Sequence, residues 1–285
     1  MAGVPVLVLR TAGTNCDLET CHAWERAGAA WQRVHIRRLA DSPQMLADCR
    51  ILTLPGGFSY GDDISAGRIL ASQLSRLLGD AMRAFVDRGG LVLGICNGFQ
   101  ALAKAGLLTG DRAGGAAPDM TLCSNDPPGF QDRWVTLRAA ERTACAFLEP
   151  GREYELPIAH GEGRVRFANE AAERAAVTEG RAALLYCAPM ARDARSLAAG
   201  GTVAAQAVGR EAATVGVMDG EGPFNPNGSA SDIAGLCDRT GRIFGLMPHP
   251  ERFVTGTQHP CWTSRPARED GDGLAIFERA VRHFA

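Results

Sequence analysis

The chain of 285 residues has an ordinary composition for a folded protein, with 46% hydrophobic and 22% charged residues. Its formal net charge of −2 gives no reason to expect a nucleic acid as partner. Its nine cysteines include no Cys-x-x-Cys pair, and no apolar run reaches the length of a membrane span. We therefore predict reduced thiols in the cytoplasm, no zinc site and no membrane partner.

The first part of the sequence alternates short apolar runs with amphipathic segments, which indicates strands and helices in turn. The predicted strands are 4–9, 32–36, 50–54 and 91–95, and the predicted helices are 17–27, 42–48, one long helix within 67–87, and 97–105. In the first helix we expect Leu18, Cys21 and Trp24 to share the buried side. This alternation favours a parallel sheet, whose ligands bind beyond the carboxyl ends of the strands.

The second part of the sequence is richer in strands. The predicted strands are 134–138, 154–159, 183–186, 203–208, 233–237 and 242–247, with a turn at 238–241 and a final amphipathic helix at 273–284. Loops are expected at 109–129 and 187–201, and no periodicity is visible at 220–229. No linker divides the chain, so we predict one α/β domain over 1–285. It should have a mainly parallel central sheet, helices on both faces and an antiparallel β extension.

The segment from Leu91 to Gln100 is the most informative, because a buried strand meets a helix there. Cys96 stands at the junction between Gly94 and Gly98, which is the spacing of a nucleophile elbow. The start of the helix would stabilise negative charge on the sulfur. The alternative is a structural cysteine, since cysteine is among the most buried residue types.

A base for such a thiol follows another predicted strand. His249 lies between two prolines, which stiffen its loop. It can take a proton from Cys96 and return it to a leaving amine, and Glu251 can hold the imidazole in the required tautomer. An isolated His-Pro would be an ordinary loop residue, but its pairing with Cys96 at a second strand end favours nucleophilic catalysis.

A third strand end supplies candidates for stabilising negative charge. The strand at 50–54 runs into Pro55, Gly56, Gly57 and Phe58. A glycine pair allows close approach of the backbone, and backbone N–H groups can form an oxyanion hole for acyl transfer. We predict that the N–H groups of Gly57 and Asn97 form it. The alternative is a plain Pro-Gly-Gly turn.

Together and in this order, these motifs resemble those of class I (triad) glutamine amidotransferases. Finer motifs resemble one branch of that family, the glutaminase subunits of phosphoribosylformylglycinamidine synthase. The segments that carry the resemblance are Gly-Gly-Phe-Ser-Tyr-Gly-Asp at 56–62, Cys-Asn-Gly-Phe-Gln at 96–100, His-Gly-Glu-Gly-Arg at 160–164, Asn-Pro-Asn-Gly-Ser at 225–229 and Met-Pro-His-Pro-Glu-Arg at 247–252. Five such segments in the right order are highly specific.

The resemblance implies a flavodoxin-like fold and hydrolysis of the glutamine side-chain amide, with Cys96 as nucleophile, His249 as base and Glu251 as its partner. The residues implied to bind glutamine are Gly56, Phe58, Gln100, His160, Gly161 and Glu162. Ammonia would pass to a separate synthetase subunit, with a small accessory subunit, for conversion of formylglycinamide ribonucleotide to its amidine in purine synthesis. That synthetase would use ATP and magnesium, whereas this chain is expected to hold no cofactor and no metal.

Other functions remain open from the sequence. Another class I amidotransferase, or a cysteine hydrolase on the same fold, would also carry a cysteine elbow, and an assay of glutamine against peptides would discriminate the hydrolase. A non-catalytic subunit should have lost Cys96, His249 or Glu251, and none is lost. A second cysteine, Cys16, lies in the loop 13–17, which also matches the family. We expect it to be a buried packing thiol, because no base motif accompanies it.

Overall fold

A computed structural model describes residues 3–108, 118–189 and 224–285. The strands of these ranges are β1 (Pro5–Arg10), β2 (Ala30–His35), β3 (Ile51–Leu54), β4 (Leu91–Ile95), β5 (Met120–Cys123), β6 (Gln131–Ala139), β7 (Glu153–His160), β8 (Arg164–Phe167), β9 (Ala182–Tyr186), β10 (Ile233–Cys237) and β11 (Ile243–Leu246). The helices are α1 (Asp17–Arg26), α2 (Ile36–Asp41), α3 (Met45–Asp48), α4 (Arg68–Gln73), α5 (Gly79–Asp87), α6 (Asn97–Lys104), α7 (Glu170–Thr178) and α8 (Leu274–Arg282).

Nine of these strands form one sheet in the order β2-β1-β3-β4-β11-β10-β9-β6-β7, and β5 pairs with β8 in a small separate sheet. From β2 to β11 neighbouring strands are parallel, whereas β10, β9, β6 and β7 continue the sheet antiparallel. Every residue of β3 and β4 is buried, as expected for parallel strands covered on both faces. The predicted fold class is therefore confirmed.

Two groups of helices pack on this sheet. On one side α1 meets α8, where Trp24 contacts the ring of Phe277 edge to face at 4.9 Å between centroids. The indole N–H of Trp24 also donates to Thr53 Oγ1 of β3 at 3.0 Å. The second group is α4 with α6, and α6 lies against β3, β4 and β11. The strand ends that form the candidate site are therefore supported by these packed helices.

The prediction of one unbroken helix within 67–87 is wrong. The structure divides it into α4, a π-helical turn at Leu74–Leu78, and α5. Its buried residues Leu70, Leu74, Leu78 and Met82 recur every four residues, so in a regular α-helix they would drift around the axis. The wider π turn keeps them on one face.

Other departures have local causes. Helix α2 follows β2 directly, because His35 Nδ1 accepts a hydrogen bond from the Arg37 N–H at 3.2 Å and caps the helix. In α1, Leu18 is 63% exposed and Thr20 is buried instead, so the predicted side was right for Cys21 and Trp24 and wrong for Leu18. Strand β5 forms inside a predicted loop because β8, which the sequence analysis missed together with α7, pairs with it.

Several predicted segments lie partly or wholly outside the described residues. These are the strand at 203–208, the loops at 109–129 and 187–201, and the stretch at 220–229. Within the described ranges, no helix combines the length and the apolar character needed to cross a membrane.

Candidate active site

The strand–turn–helix corner at Cys96 has the strained backbone of a nucleophile elbow. Cys96 has φ 48° and ψ −103°, a conformation that costs energy for a residue with a side chain. Its N–H donates to Leu246 O of the neighbouring strand β11 at 2.8 Å. A Cβ on Gly98 would lie 2.0 Å from Leu54 O, so only glycine lets α6 approach β3 this closely. The predicted elbow geometry is present.

His249 and Glu251 lie at the end of β11, the strand next to β4. His249 Nδ1 is 2.6 Å from Glu251 Oε1, and both side chains are buried. The His249 N–H donates to Pro157 O at 2.8 Å, which ties this loop to β7. With Nδ1–H directed at the carboxylate, Nε2 is left to exchange a proton with a thiol. That Nε2 atom is buried, without a regular hydrogen-bond partner among the described residues.

The electrostatic surroundings of His249 favour its protonated form. Burial by itself lowers the pKa of the imidazole, but the Glu251 carboxylate and negative charge on Cys96 raise it, and the net direction is well above the ordinary value. The pKa of His249 is raised because two neighbouring negative charges stabilise the imidazolium more than burial destabilises it. Such a group carries the proton that a leaving amine needs.

The Gly56–Gly57 peptide lies against the same pair of side chains. A Cβ on Gly56 would come within 2.9 Å of His249 Cε1 and 3.5 Å of Cys96 Cβ. Gly57 has φ 130°, a region that L side chains rarely adopt. The carbonyl of Gly56 accepts only a long bond, 3.4 Å, from the Cys16 N–H. The Gly56–Gly57 peptide, which has no Cβ on either side and a long hydrogen bond at its carbonyl, therefore lies beside the Cys96 thiol.

A cleft of about 440 Å³ opens over these groups. The predicted site residues that line it are Gly57, Phe58, Cys96, Gln100, His160, Gly161, Glu162 and His249. The other three support it from behind. Glu251 holds His249, and Gly56 lies beside His249 and Cys96, which a Cβ at that position would meet. Asn97 ties the loop after β3 by accepting from the Ser59 N–H at 3.2 Å and donating to Asp62 Oδ1 at 2.9 Å.

Two of these polar residues are fixed in a definite orientation. Gln100 Nε2 donates to Glu162 O at 2.6 Å, which holds the loop after β7 over the cleft. His160 Nδ1 is 3.1 Å from Asn125 Oδ1, an atom that also accepts from the Gly163 N–H. Burial, together with nearby His249, lowers the pKa of His160 to about 3. His160 is therefore neutral and cannot replace His249 as a proton donor.

The sequence analysis missed several residues of the cleft, namely Asn15, Cys16, Asp62, Ala66, Phe130, Ala159 and Arg252. Arg252 directly follows the His-Pro-Glu motif, and the loop 13–17 already matched the family. The sequence therefore contained information that could have placed both in the cleft. Cys16 is buried as expected, but it also faces the cleft beside His249. Burial raises the pKa of its thiol, which keeps it protonated and a poor nucleophile.

One group of potential metal ligands occurs among the residues that the structure describes. Ligand atoms of Cys16, Glu19, His249 and Glu251 all lie within 4.8 Å of one another. The Arg252 guanidinium donates to Cys16 Sγ at 3.3 Å and to Glu19 Oε1 at 3.1 Å. Arg252 thus pairs with Glu19, and His249 pairs with Glu251, so both carboxylates of the group already have a partner within the protein. The expectation that the chain holds no metal stays a prediction.

Comparison with known proteins identifies the family of this chain. Residues 4–199 and 190–284 match the family described as CobB/CobQ-like glutamine amidotransferase domain. A relative in Dehalococcoides mccartyi, phosphoribosylformylglycinamidine synthase subunit PurQ, is 41% identical, covering 99% of this chain and 98% of the relative. The protein of the same name in Methanococcus maripaludis is 35% identical, with 98% and 97% covered.

Among solved structures, PurLQS from Thermotoga maritima superposes with a TM-score of 0.68 at 26% identity, covering 99% of this chain and all of that chain. The fold, the site residues and these similarities together define the class of protein as a glutamine amidotransferase. The chain belongs to the CobB/CobQ-like glutamine amidotransferase family and, within it, to the PurQ subunits of phosphoribosylformylglycinamidine synthase.

Proposed function

We propose that this chain hydrolyses the side-chain amide of glutamine through Cys96, His249 and Glu251. The Cys96 sulfur attacks the amide carbon, and ammonia leaves with a proton from the His249 imidazolium. A glutamyl thioester remains on Cys96. His249 then takes a proton from water, which attacks the thioester carbonyl and releases glutamate. Hydrogen bonds from the backbone N–H groups of Gly57 and Asn97 would stabilise the negative charge that develops on the carbonyl oxygen.

The observation that carries this proposal is the strained Cys96 facing the buried His249–Glu251 pair in one cleft. The cleft has the size of a small-molecule site and both acidic and basic side chains along its wall. Glutamine carries an ammonium and a carboxylate beyond its amide, so this lining suits it. We propose Phe58, Gln100, His160, Gly161 and Glu162 as its contacts.

We further propose that the ammonia goes to a separate synthetase subunit, with a small accessory subunit in the assembly. ATP and magnesium belong to that synthetase, which converts formylglycinamide ribonucleotide to the amidine, and this chain contributes no cofactor. All nine cysteines lie in the described ranges and are free thiols, which fits a reducing cytoplasm. The one-domain organisation over 1–285 remains part of the proposal.

Assembly with a synthetase provides the direct test. The chain should co-purify with the synthetase subunit of its own organism and support amidine formation from glutamine, ATP and formylglycinamide ribonucleotide. Alone, it should be a slow glutaminase, because uncoupled hydrolysis wastes glutamine. Glutaminase turnover is measured with and without the synthetase and its substrates. A chain that binds the synthetase and still yields no glutamine-dependent amidine would contradict the proposal.

The loop beside the cleft offers a route for such control. Phe58 is 51% exposed and Ile64 is 74% exposed, so a partner can contact this loop directly. The Gly56–Gly57 peptide lies in the same loop, and rotating it would turn the Gly57 N–H toward or away from the thiol. Partner contacts that favour one orientation would shift the population of the active state.

A substitution of Gly57 tests this route. In Gly57→Ala, the added Cβ would lie 2.7 Å from Asn15 N at a φ of 130°, so the productive peptide orientation should be lost. Because one missing oxyanion donor typically costs ~10²–10³ in turnover, we expect kcat to fall by that order while KM for glutamine changes much less. Steady-state kinetics of the assembled complex measures both.

Gly61→Ala is the matched control for Gly57→Ala. Gly61 lies in the same loop with φ 72°, and a Cβ there would approach only the flexible Asp63 carboxylate. General strain in the loop should therefore affect both variants alike. If Gly61→Ala lowers kcat as much as Gly57→Ala does, or if Gly57→Ala raises only KM, the oxyanion role of Gly57 is wrong.

A further inference from the structure

Lys104 stands out in the sequence as the single lysine among 30 lysine and arginine residues. Arginine occupies every other basic position of this chain, so Lys104 is the one place with an ammonium group on its side chain. Lysine carries a compact ammonium with three donors, whereas arginine carries a wide planar fork. The position of Lys104 in the fold shows which groups this compact cation contacts.

Lys104 ends helix α6, and its side chain is only 8% exposed. Its ammonium donates to Ala66 O and lies 3.6 Å from Glu162 Oε2. The same carboxylate oxygen accepts the Ala66 N–H at 3.3 Å. Both polar groups of Ala66 are therefore held by one half-buried ion pair, and both Ala66 and Glu162 line the glutamine cleft.

Lys104 belongs to a row of residues on one face of α6. Asn97, Gln100 and Lys104 are spaced three and four apart and thus share a side of the helix. Asn97 holds Asp62, Gln100 holds Glu162 O, and Lys104 holds the Glu162 carboxylate. Helix α6, which begins at the Cys96 elbow, therefore holds in place Asp62 and Glu162, which line two sides of the cleft.

Lys104 has a carboxylate on one side and an open cavity on the other. Burial lowers the pKa of the amine, although the Glu162 carboxylate counteracts this shift. On its other side, the Lys104 side chain lines a second cavity of about 220 Å³, together with Arg68 and Arg166. Lys104 therefore stands between this cavity and the glutamine cleft.

We propose that Lys104 is a positioning residue that sets the affinity for glutamine by holding Ala66 and the Glu162 carboxylate against the cleft. This inference rests on the proposed glutaminase function. It assigns Lys104 to the part of the cleft that holds the substrate and not to the reacting atoms, because its contacts are with Ala66 and Glu162 and not with Cys96 or His249.

The test compares Lys104→Met and Lys104→Arg with wild type in the assembled complex. Loss of a charge-assisted contact should raise KM for glutamine on the order of tenfold in Lys104→Met, with kcat nearly unchanged. Lys104→Arg retains the charge and should not restore the wild-type KM. Arg166→Met, an exposed residue on the same second cavity, is the matched control and should behave as wild type.

A second measurement is independent of turnover. In a Cys96→Ala background, calorimetry gives the dissociation constant for glutamine, and Lys104→Met should weaken it by the same factor as it raises KM. An unchanged dissociation constant, an equal fall of kcat, or full rescue by Lys104→Arg would overturn the role of Lys104. If the wild-type complex releases no glutamate, the proposed function itself fails, and this outcome is distinguishable from the others.

Discussion

Replacing Cys96 by serine is expected to abolish glutamine-dependent amidine formation while ammonia-dependent formation continues. The serine hydroxyl keeps the size of the side chain, but it is a far weaker nucleophile than a thiolate at neutral pH. Loss of a nucleophile of this kind typically costs ~10⁶ in kcat, so glutamate release should fall to background. Supplying ammonium salt bypasses this subunit. The two rates are measured on the same assembled complex with glutamine or ammonium salt.

Cys16→Ser is the matched control, because Cys16 is the other buried thiol of the cleft and also lies near His249. It should retain most of the glutamine-dependent rate. A glutamine-like alkylating agent should label Cys96 before the other eight cysteines. Near wild-type glutamate release by Cys96→Ser, or loss of activity only in Cys16→Ser, would show that the nucleophile is misassigned.

The strand ends that carry the chemistry could be predicted from the sequence because each is a local pattern. A buried apolar run followed by a glycine-flanked cysteine specifies an elbow, and the structure has it at Cys96 with φ 48°. The same holds for the Gly56–Gly57 turn after β3. That β4 and β11 are neighbours depends on sheet order, which no local pattern specifies. The meeting of Cys96 and His249 was predicted from their positions at strand ends and from the resemblance, without the strand order.

The parts that sequence analysis missed depend on contacts between distant segments. Strand β8 pairs with β5 across more than forty residues, and its own four residues alternate polar and apolar side chains only over the shortest length that indicates a strand. Arg252 and Cys16 became cleft residues only when the loops after β11 and β1 met. Leu18 was misplaced because it is six residues from Trp24, which puts the two side chains roughly a third of a turn apart around the helix axis.

Replacing Glu251 by glutamine should cause the second large loss of activity. The amide removes the negative charge that raises the pKa of His249, and burial then lowers that pKa. Less imidazolium is available at neutral pH to protonate leaving ammonia, and the imidazole loses its fixed tautomer. A comparable change in a serine protease triad lowers kcat by about 10⁴, and we expect a fall of this order here. Steady-state kinetics across pH measures it.

The dependence of activity on pH distinguishes the effect of the Glu251 charge on His249 from a purely structural role of Glu251. Wild-type activity should decline at alkaline pH as His249 loses its proton, and this limb should move to lower pH in Glu251→Gln because the His249 pKa falls. Glu19→Gln is the matched control, since Glu19 pairs with Arg252 near the same site and should leave the limb in place. A Glu251→Gln variant with reduced activity but an unmoved alkaline limb would mean that Glu251 only supports the loop. If both variants shift the limb equally, the effect comes from general negative charge and not from the Glu251–His249 contact.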